Sequence, residues 1–116
     1  MGWAGQLYDY GTDHRIKEKT LIDRYILSRR TEEDINSIFD FGYHKFGKEQ
    51  ALNYLIELRS YFELLVENPN IGKHRNEIRE GLYSFPFASH IIFYRIFPRH
   101  IRIVRVLHGS RDLRKF

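Results

Sequence analysis

Cysteine is absent from the 116 residues of this chain. That excludes a disulfide framework, a thiol nucleophile and a thiolate metal site, and it fits a reducing cytosol. Long apolar runs are missing as well. No stretch approaches the ~20 residues that span a bilayer, and the first basic residue is Arg15, so the start lacks the charged-then-apolar pattern of a leader. The chain reads as soluble and cytoplasmic, with no membrane partner. Metal motifs are wanting too: His14, His44, His74, His90, His100 and His108 are scattered with no i, i+4 pair, so no metal or other cofactor is expected. Gly72-Lys73 is not a phosphate loop, because Glu67 stands five residues before Gly72 and His74 follows the lysine. There is no Gly-x-Ser-x-Gly and no dinucleotide fingerprint. Common enzyme signatures are therefore lacking.

Acid is scarce in the last third. From Ile71 onward there are ten Lys/Arg and only Glu77, Glu80 and Asp112, a local charge of +7. The first 70 residues carry nine Lys/Arg against twelve Asp/Glu, and the chain as a whole is +4. Such polarity suits an acidic partner surface, either nucleic acid or an acidic protein segment. What is abundant is aromatic: nine Phe and eight Tyr, with 42% hydrophobic residues overall. This is ample for one packed core, and some of the rings are expected to face a partner.

Residues 1–23 scatter glycines among aromatics without a helical or alternating period, and they read as an extension outside the core fold, disordered or non-native. A single domain is expected over 24–116. Tyr25-Ile26-Leu27-Ser28 reads as a strand. Thr31 then resembles a helix N-cap, with Glu32, Glu33 and Asp34 meeting the positive end of the helix dipole. Ile35, Ile38, Phe39 and Phe46 mark one helical face, and Gly47 is a natural stop. From Lys48 to about Glu67 the stripe Ala51, Leu55, Leu58, Phe62, Leu65 defines a second helix, flanked by Tyr54 and Tyr61. Asn68-Pro69-Asn70 ends it. With one residue between them, the helices form an antiparallel hairpin.

From Gly81 the period becomes that of strands: Leu82–Phe85, then residues 89–97 and 100–108 around a turn at Pro98-Arg99. The fold class is α+β, a strand, an antiparallel helical hairpin and a C-terminal antiparallel sheet in the order β-α-α-β-β-β. Both long strands are apolar on both parities, so both sheet faces need cover: the hairpin for one, and a partner or second copy as the simplest cover for the other.

Two groups of side chains carry the candidate chemistry. Lys73, His74, Arg75 and Arg79, followed by Tyr83, suit a phosphate-binding edge. The bland alternative is a solvated loop in which Arg79 pairs with Glu77 or Glu80. The second group is Arg102, Arg105, His108, Arg111, Asp112 and Arg114. Strand geometry puts Arg102 and His108 on one parity and Arg105 on the other. Arg105, among Ile103, Val104 and Val106, is expected to be partly buried with an anionic partner, Asp112 or a carboxylate of another chain. A lone histidine such as His108 is more often structural than catalytic.

Several motifs in order resemble one family. They are Tyr25-Ile26-Leu27-Ser28 before an acidic helix start, Phe46-Gly47-Lys48-Glu49-Gln50-Ala51-Leu52, and Asn68-Pro69-Asn70-Ile71-Gly72. Further on come Glu77-Ile78-Arg79-Glu80-Gly81-Leu82, His90-Ile91-Ile92-Phe93-Tyr94-Arg95, and Ile103-Val104-Arg105-Val106-Leu107-His108 with Arg111-Asp112. From about Tyr25 to the C-terminus the chain resembles ParE toxins of the ParE/RelE toxin–antitoxin superfamily. The resemblance implies a toxin that poisons DNA gyrase without catalysis of its own. It also implies neutralisation by a ParD-like antitoxin in a hetero-oligomer; direct nucleic-acid binding is compatible but not required. The residues expected to act on the target are Arg105, His108, Arg111 and Arg114, with Arg75 and Arg79 second. Tyr54 and Tyr61, taken as exposed aromatics of the hairpin, and Arg102 on the sheet are expected to meet the antitoxin. Within the superfamily the alternative is a RelE-like ribosome-dependent mRNA endonuclease, with His108, Arg105 and Arg79 as its catalytic set. The tail lacks the tyrosine some nucleases carry, which favours the gyrase poison. A further alternative is a non-catalytic antitoxin-binding module.

Overall fold

The computed structural model describes residues 21–110, Asp112 and Phe116. Most of the N-terminal extension, residues 1–20, lies outside the described residues. The elements run β1 (Arg24–Leu27), α1 (Arg29–Phe46), α2 (Lys48–Glu67), a 3-10 turn at Pro69–Ile71, β2 (Lys73–His74), β3 (Leu82–Phe87), β4 (His90–Ile96) and β5 (His100–His108). The five strands form one sheet in the order β1-β5-β4-β3-β2. β1 runs parallel to β5, with Arg24 opposite His100 and Leu27 opposite Ile103; the other pairings are antiparallel. The two-residue β2 was not expected from sequence, and β3 continues two residues past Phe85 through Pro86.

The N-cap of α1 is Ser28 rather than Thr31. The Ser28 hydroxyl accepts from Thr31 N at 3.0 Å, so the helix begins one turn earlier and Thr31 is its third residue, fully buried. The reason lies in β5. Past Ile103, β1 has ended and β5 needs other partners for its edge groups. The first turns of α1 supply them. Ser28 N donates to Ile103 O at 3.0 Å, Ser28 Oγ donates to Val104 O at 2.9 Å, and Thr31 Oγ1 donates to Ile103 O at 2.8 Å. A buried strand edge must have its backbone polar groups paired, and here helix side chains do it.

Gly47 joins the helices with φ +96°, a conformation that L side chains rarely adopt. The stripe of α2 buries Ala51, Leu58, Phe62 and Leu65, with Leu55 half-buried. Leu58, Phe62 and Leu65 pack with Phe87, Ile92, Tyr94, Ile101, Ile103 and Val106 as the main core. Phe46, placed on the apolar face of α1 by its spacing, is instead 58% exposed. In the second half of α1, Gly42 meets α2 at Ala51.

Tyr94 is fully buried. Its hydroxyl donates to Pro69 O at 2.6 Å and accepts from Gly72 N at 3.0 Å, which pins the turn after α2 to the sheet. Burial pushes its pKa up to about 12. A Cβ at Gly72 would run into the Tyr94 ring, so this close approach requires glycine.

On the other sheet face Leu82, Phe93 and Leu107 are buried among Ile91, Val104 and Phe116. The cover expected from a partner or second copy is therefore supplied in part by the chain's own Phe116, whose ring lies 4.6 Å from that of Phe93. A bulge also upsets the simple parity of β5. Tyr94 opposes Ile103 but Phe93 opposes Arg105, so Val104 is an extra residue. One inserted residue flips the alternation. Val106 consequently joins Ile101 and Ile103 on the helix side, and Arg102 and His108 end on opposite faces. No helix among the described residues is long and apolar enough to cross a membrane.

Candidate functional site

The residues singled out in the last strand divide between a locked ion pair and a cleft. Arg105 is 8% exposed, and its partner is Asp34 of α1, not Asp112 or another chain. Arg105 Nε and Nη2 donate to the two Asp34 oxygens at 2.9 and 2.8 Å, while Val106 N donates to Asp34 Oδ2 at 3.0 Å. The hydrogen bonds to Asp34, reinforced by its charge and by Asp112 and Glu33, raise the Arg105 pKa against the opposing effect of burial. Asp34, expected to meet the helix dipole, instead ties α1 to β5. Bidentate, charge-assisted geometry of this kind is the strong form of an ion pair.

At the far end of β5, His108 sits opposite His90, their ring centroids 5.5 Å apart. Tyr54 of α2 places its hydroxyl 2.6 Å from His90 Nδ1, and burial pushes the Tyr54 pKa up. Ser110 N donates to His108 Nδ1 at 3.2 Å, and His108 N donates to Asp112 Oδ2 at 3.1 Å. These contacts close one end of a cleft of about 810 Å³ between the hairpin and the sheet. Its apolar wall includes Ile38, Phe41, Phe46 and Ile56. Phe41 is 49% and Ile56 61% exposed. Large apolar side chains left exposed around a concavity mark an interaction site.

Arg75 and Arg79 lie at the opposite end of the sheet. Arg75, not Arg79, pairs with Glu77, at 3.1 Å, and its Nε donates to Ser84 Oγ at 3.0 Å. The Arg79 guanidinium stands 5.4 Å over the Phe116 ring. No group of three or more His, Asp or Glu among the described residues is placed to hold a metal ion.

The model of the family described as "ParE toxin of type II toxin-antitoxin system, parDE" matches residues 25–113. The chain belongs to the ParE toxin family. Among curated relatives, Toxin ParE1 of Caulobacter vibrioides is 37% identical over 90 residues, covering 78% of this chain and 93% of the relative. Toxin ParE1 of Mycobacterium tuberculosis is 37% identical over 91 residues with the same coverage. The solved structure titled "Chromosomal ParDE TA system from P. aeruginosa" matches with a TM-score of 0.67 at 19% identity, over 77% of this chain and 97% of that one, which bears on the fold.

Within this ParE domain the two tyrosines taken as exposed are half-buried. Tyr54 packs on Phe87 at 4.9 Å, and Tyr61 on Phe87 at 4.8 Å and Phe85 at 6.1 Å. Tyr54 still lines the cleft, whereas Arg102 stands exposed on the opposite sheet face. Arg111 and Arg114 lie outside the described residues. The structure brings Arg105 to Asp34 and His108 to His90, which in turn meets Tyr54, but it gathers neither with Arg79. Sequence reasoning missed Phe41 and Ile56, although their departure from the main stripes of α1 and α2 was the available signal.

Proposed function

We propose that this ParE family member acts as a gyrase-poisoning toxin without catalysis of its own, neutralised by a ParD-like antitoxin in the cytoplasm. The observation that carries the reading is the family match across nearly the whole folded chain. The geometry of the rival catalytic set supports it further. Leu82, which follows Arg79, opposes Arg95 at one end of β3, while His108 opposes His90 at the other end of the sheet. Six residues of strand are ~20 Å, too far for one phosphodiester to meet both side chains. Arg105, the third member, is held by Asp34. Among the target-facing residues, His108, Arg111 and Arg114 carry the contact, with Arg75 and Arg79 second, and Arg105 holds β5 in position.

The antitoxin takes the hairpin cleft, with Tyr54 at its floor and Phe41 and Ile56 at its rim. Tyr61 packs on Phe87 beside Tyr54, and Arg102, exposed on the outer face, meets an acidic segment of the antitoxin in the neutralised complex and is left open to other anions in the free toxin. Titration of purified gyrase with the protein tests the target, alongside a ribosome-dependent mRNA cleavage control. Loss of supercoiling with accumulation of linear, gyrase-linked DNA is the expected result. Intact gyrase activity with mRNA cut in the control would overturn it.

A further inference from the structure

The outer face of the sheet, away from the helices, carries several cations, most of them without an ion-pair partner among the described residues. Arg95 of β4 and Arg102 of β5 are direct cross-strand partners. Arg95 is two residues beyond Phe93, and Arg102 two residues before Val104, both members of the outer cluster. Lys73 opposes Ser84, which in turn opposes Phe93, and Arg75 donates to the Ser84 hydroxyl. Arg79 stands over Phe116, which packs on Phe93. Lys73, Arg75, Arg79, Arg95 and Arg102 thus share one face. Among the described residues the acid paired with any of them is Glu77, on Arg75.

Arg95 and Arg102 are the informative pair. Like charges directly opposite in a sheet have Cβ atoms ~5 Å apart and repel each other. No carboxylate among the described residues is paired with either of them, so the arrangement is better suited to an anion laid across the face. The apolar centre of the face is already filled from within, by Phe116 over Leu82, Phe93 and Leu107. A protein partner needs a central apolar anchor and a pocket for it. A phosphate backbone needs only spaced arginine forks.

We propose that this face binds the phosphate backbone of duplex DNA without reading its sequence. The choice of DNA rests on the gyrase reading, because that target holds a DNA duplex beside which the toxin would sit. Backbone binding of this kind releases condensed counterions, so its affinity falls steeply with salt.

Fluorescence anisotropy of the full chain with a labelled 20-base-pair duplex, titrated across salt, tests it. The expected affinity is on the order of 10⁻⁶ to 10⁻⁴ M at physiological salt, with a log–log salt slope of about −4. The double variant Arg95→Gln/Arg102→Gln should lose affinity at least about tenfold at low salt and flatten the slope by about 2. It should stay folded by circular dichroism, and its urea midpoint should not fall, because a repulsion has been removed. The charge-matched control Arg30→Gln/Arg59→Gln, both exposed and on the helices, should bind as the parent does. Unchanged DNA binding in the Arg95/Arg102 variant, or no binding at low salt, would overturn the proposal. Single-stranded RNA bound more than tenfold tighter, or polyglutamate displacing the duplex at lower charge concentration than free DNA does, would replace DNA with RNA or an acidic protein. The assay contains no gyrase, so its failure and failure of the gyrase reading are separable.

Discussion

Asp34 does two jobs at once: it neutralises a buried guanidinium and accepts the amide of Val106. Removing it would leave Arg105 charged and unpaired at 8% exposure. Breaking one half of a buried pair typically costs ~3–5 kcal/mol, whereas replacing both halves with apolar residues of similar size costs far less. Asp34→Ala should therefore lower the urea-unfolding free energy by about 3 kcal/mol or more, and Asp34→Leu/Arg105→Met should recover most of it. Equal losses in the single and double variants would mean that the pair contributes little beyond packing. The same reasoning separates two ways of losing toxicity. An Arg105 variant that is inactive and unstable has lost its strand, while an inactive His108 variant of full stability has lost a contact.

At the scale of the element, the junction of β1, α1 and β5 shows how local propensity yields to tertiary demand. Thr31 is a good cap by type and is followed by acids, so the local pattern alone selects it. Ser28 wins because β5 beyond Ile103 needs donors, and a helix started three residues earlier delivers Ser28 and Thr31 to those carbonyls. Ser28→Ala removes both the cap and the bond to Val104 O, and should cost about 1–2 kcal/mol. Its urea midpoint compared with that of Ser28→Thr checks this; equal midpoints for wild type and Ser28→Ala would refute it. The bulge at Val104 is a second case. A two-residue period read from the sequence carried Arg102 and His108 to one face, and a single inserted residue sends them to opposite faces.

For the whole molecule, the consequence is two surfaces of different chemistry on either side of one sheet. The helix side offers an apolar cleft rimmed by Phe41 and Ile56, and the outer side offers arginines around a filled apolar centre. Ile56→Asp, at a position 61% exposed, should leave stability within about 0.5 kcal/mol yet weaken binding of a ParD-like antitoxin at least about tenfold in calorimetry. Undiminished affinity in that variant would move the antitoxin to another face.

By itself the sequence determined the class and order of elements, the stops at Gly47 and Asn68, the stripe of α2, the family, and the cationic character of the last third. Each follows from spacing, residue type or motif order along the chain, which needs no knowledge of what lies across the sheet. Only the tertiary structure decided that Arg105 pairs with Asp34, that Tyr54 and Tyr61 turn inward, that Phe116 covers the second face, and that Arg79 and His108 stand apart. Those outcomes depend on contacts between residues far apart in the chain, 71 positions in the case of Arg105 and Asp34. They depend also on one bulge, whose effect on side-chain direction is global while its signature in the sequence is a single extra valine.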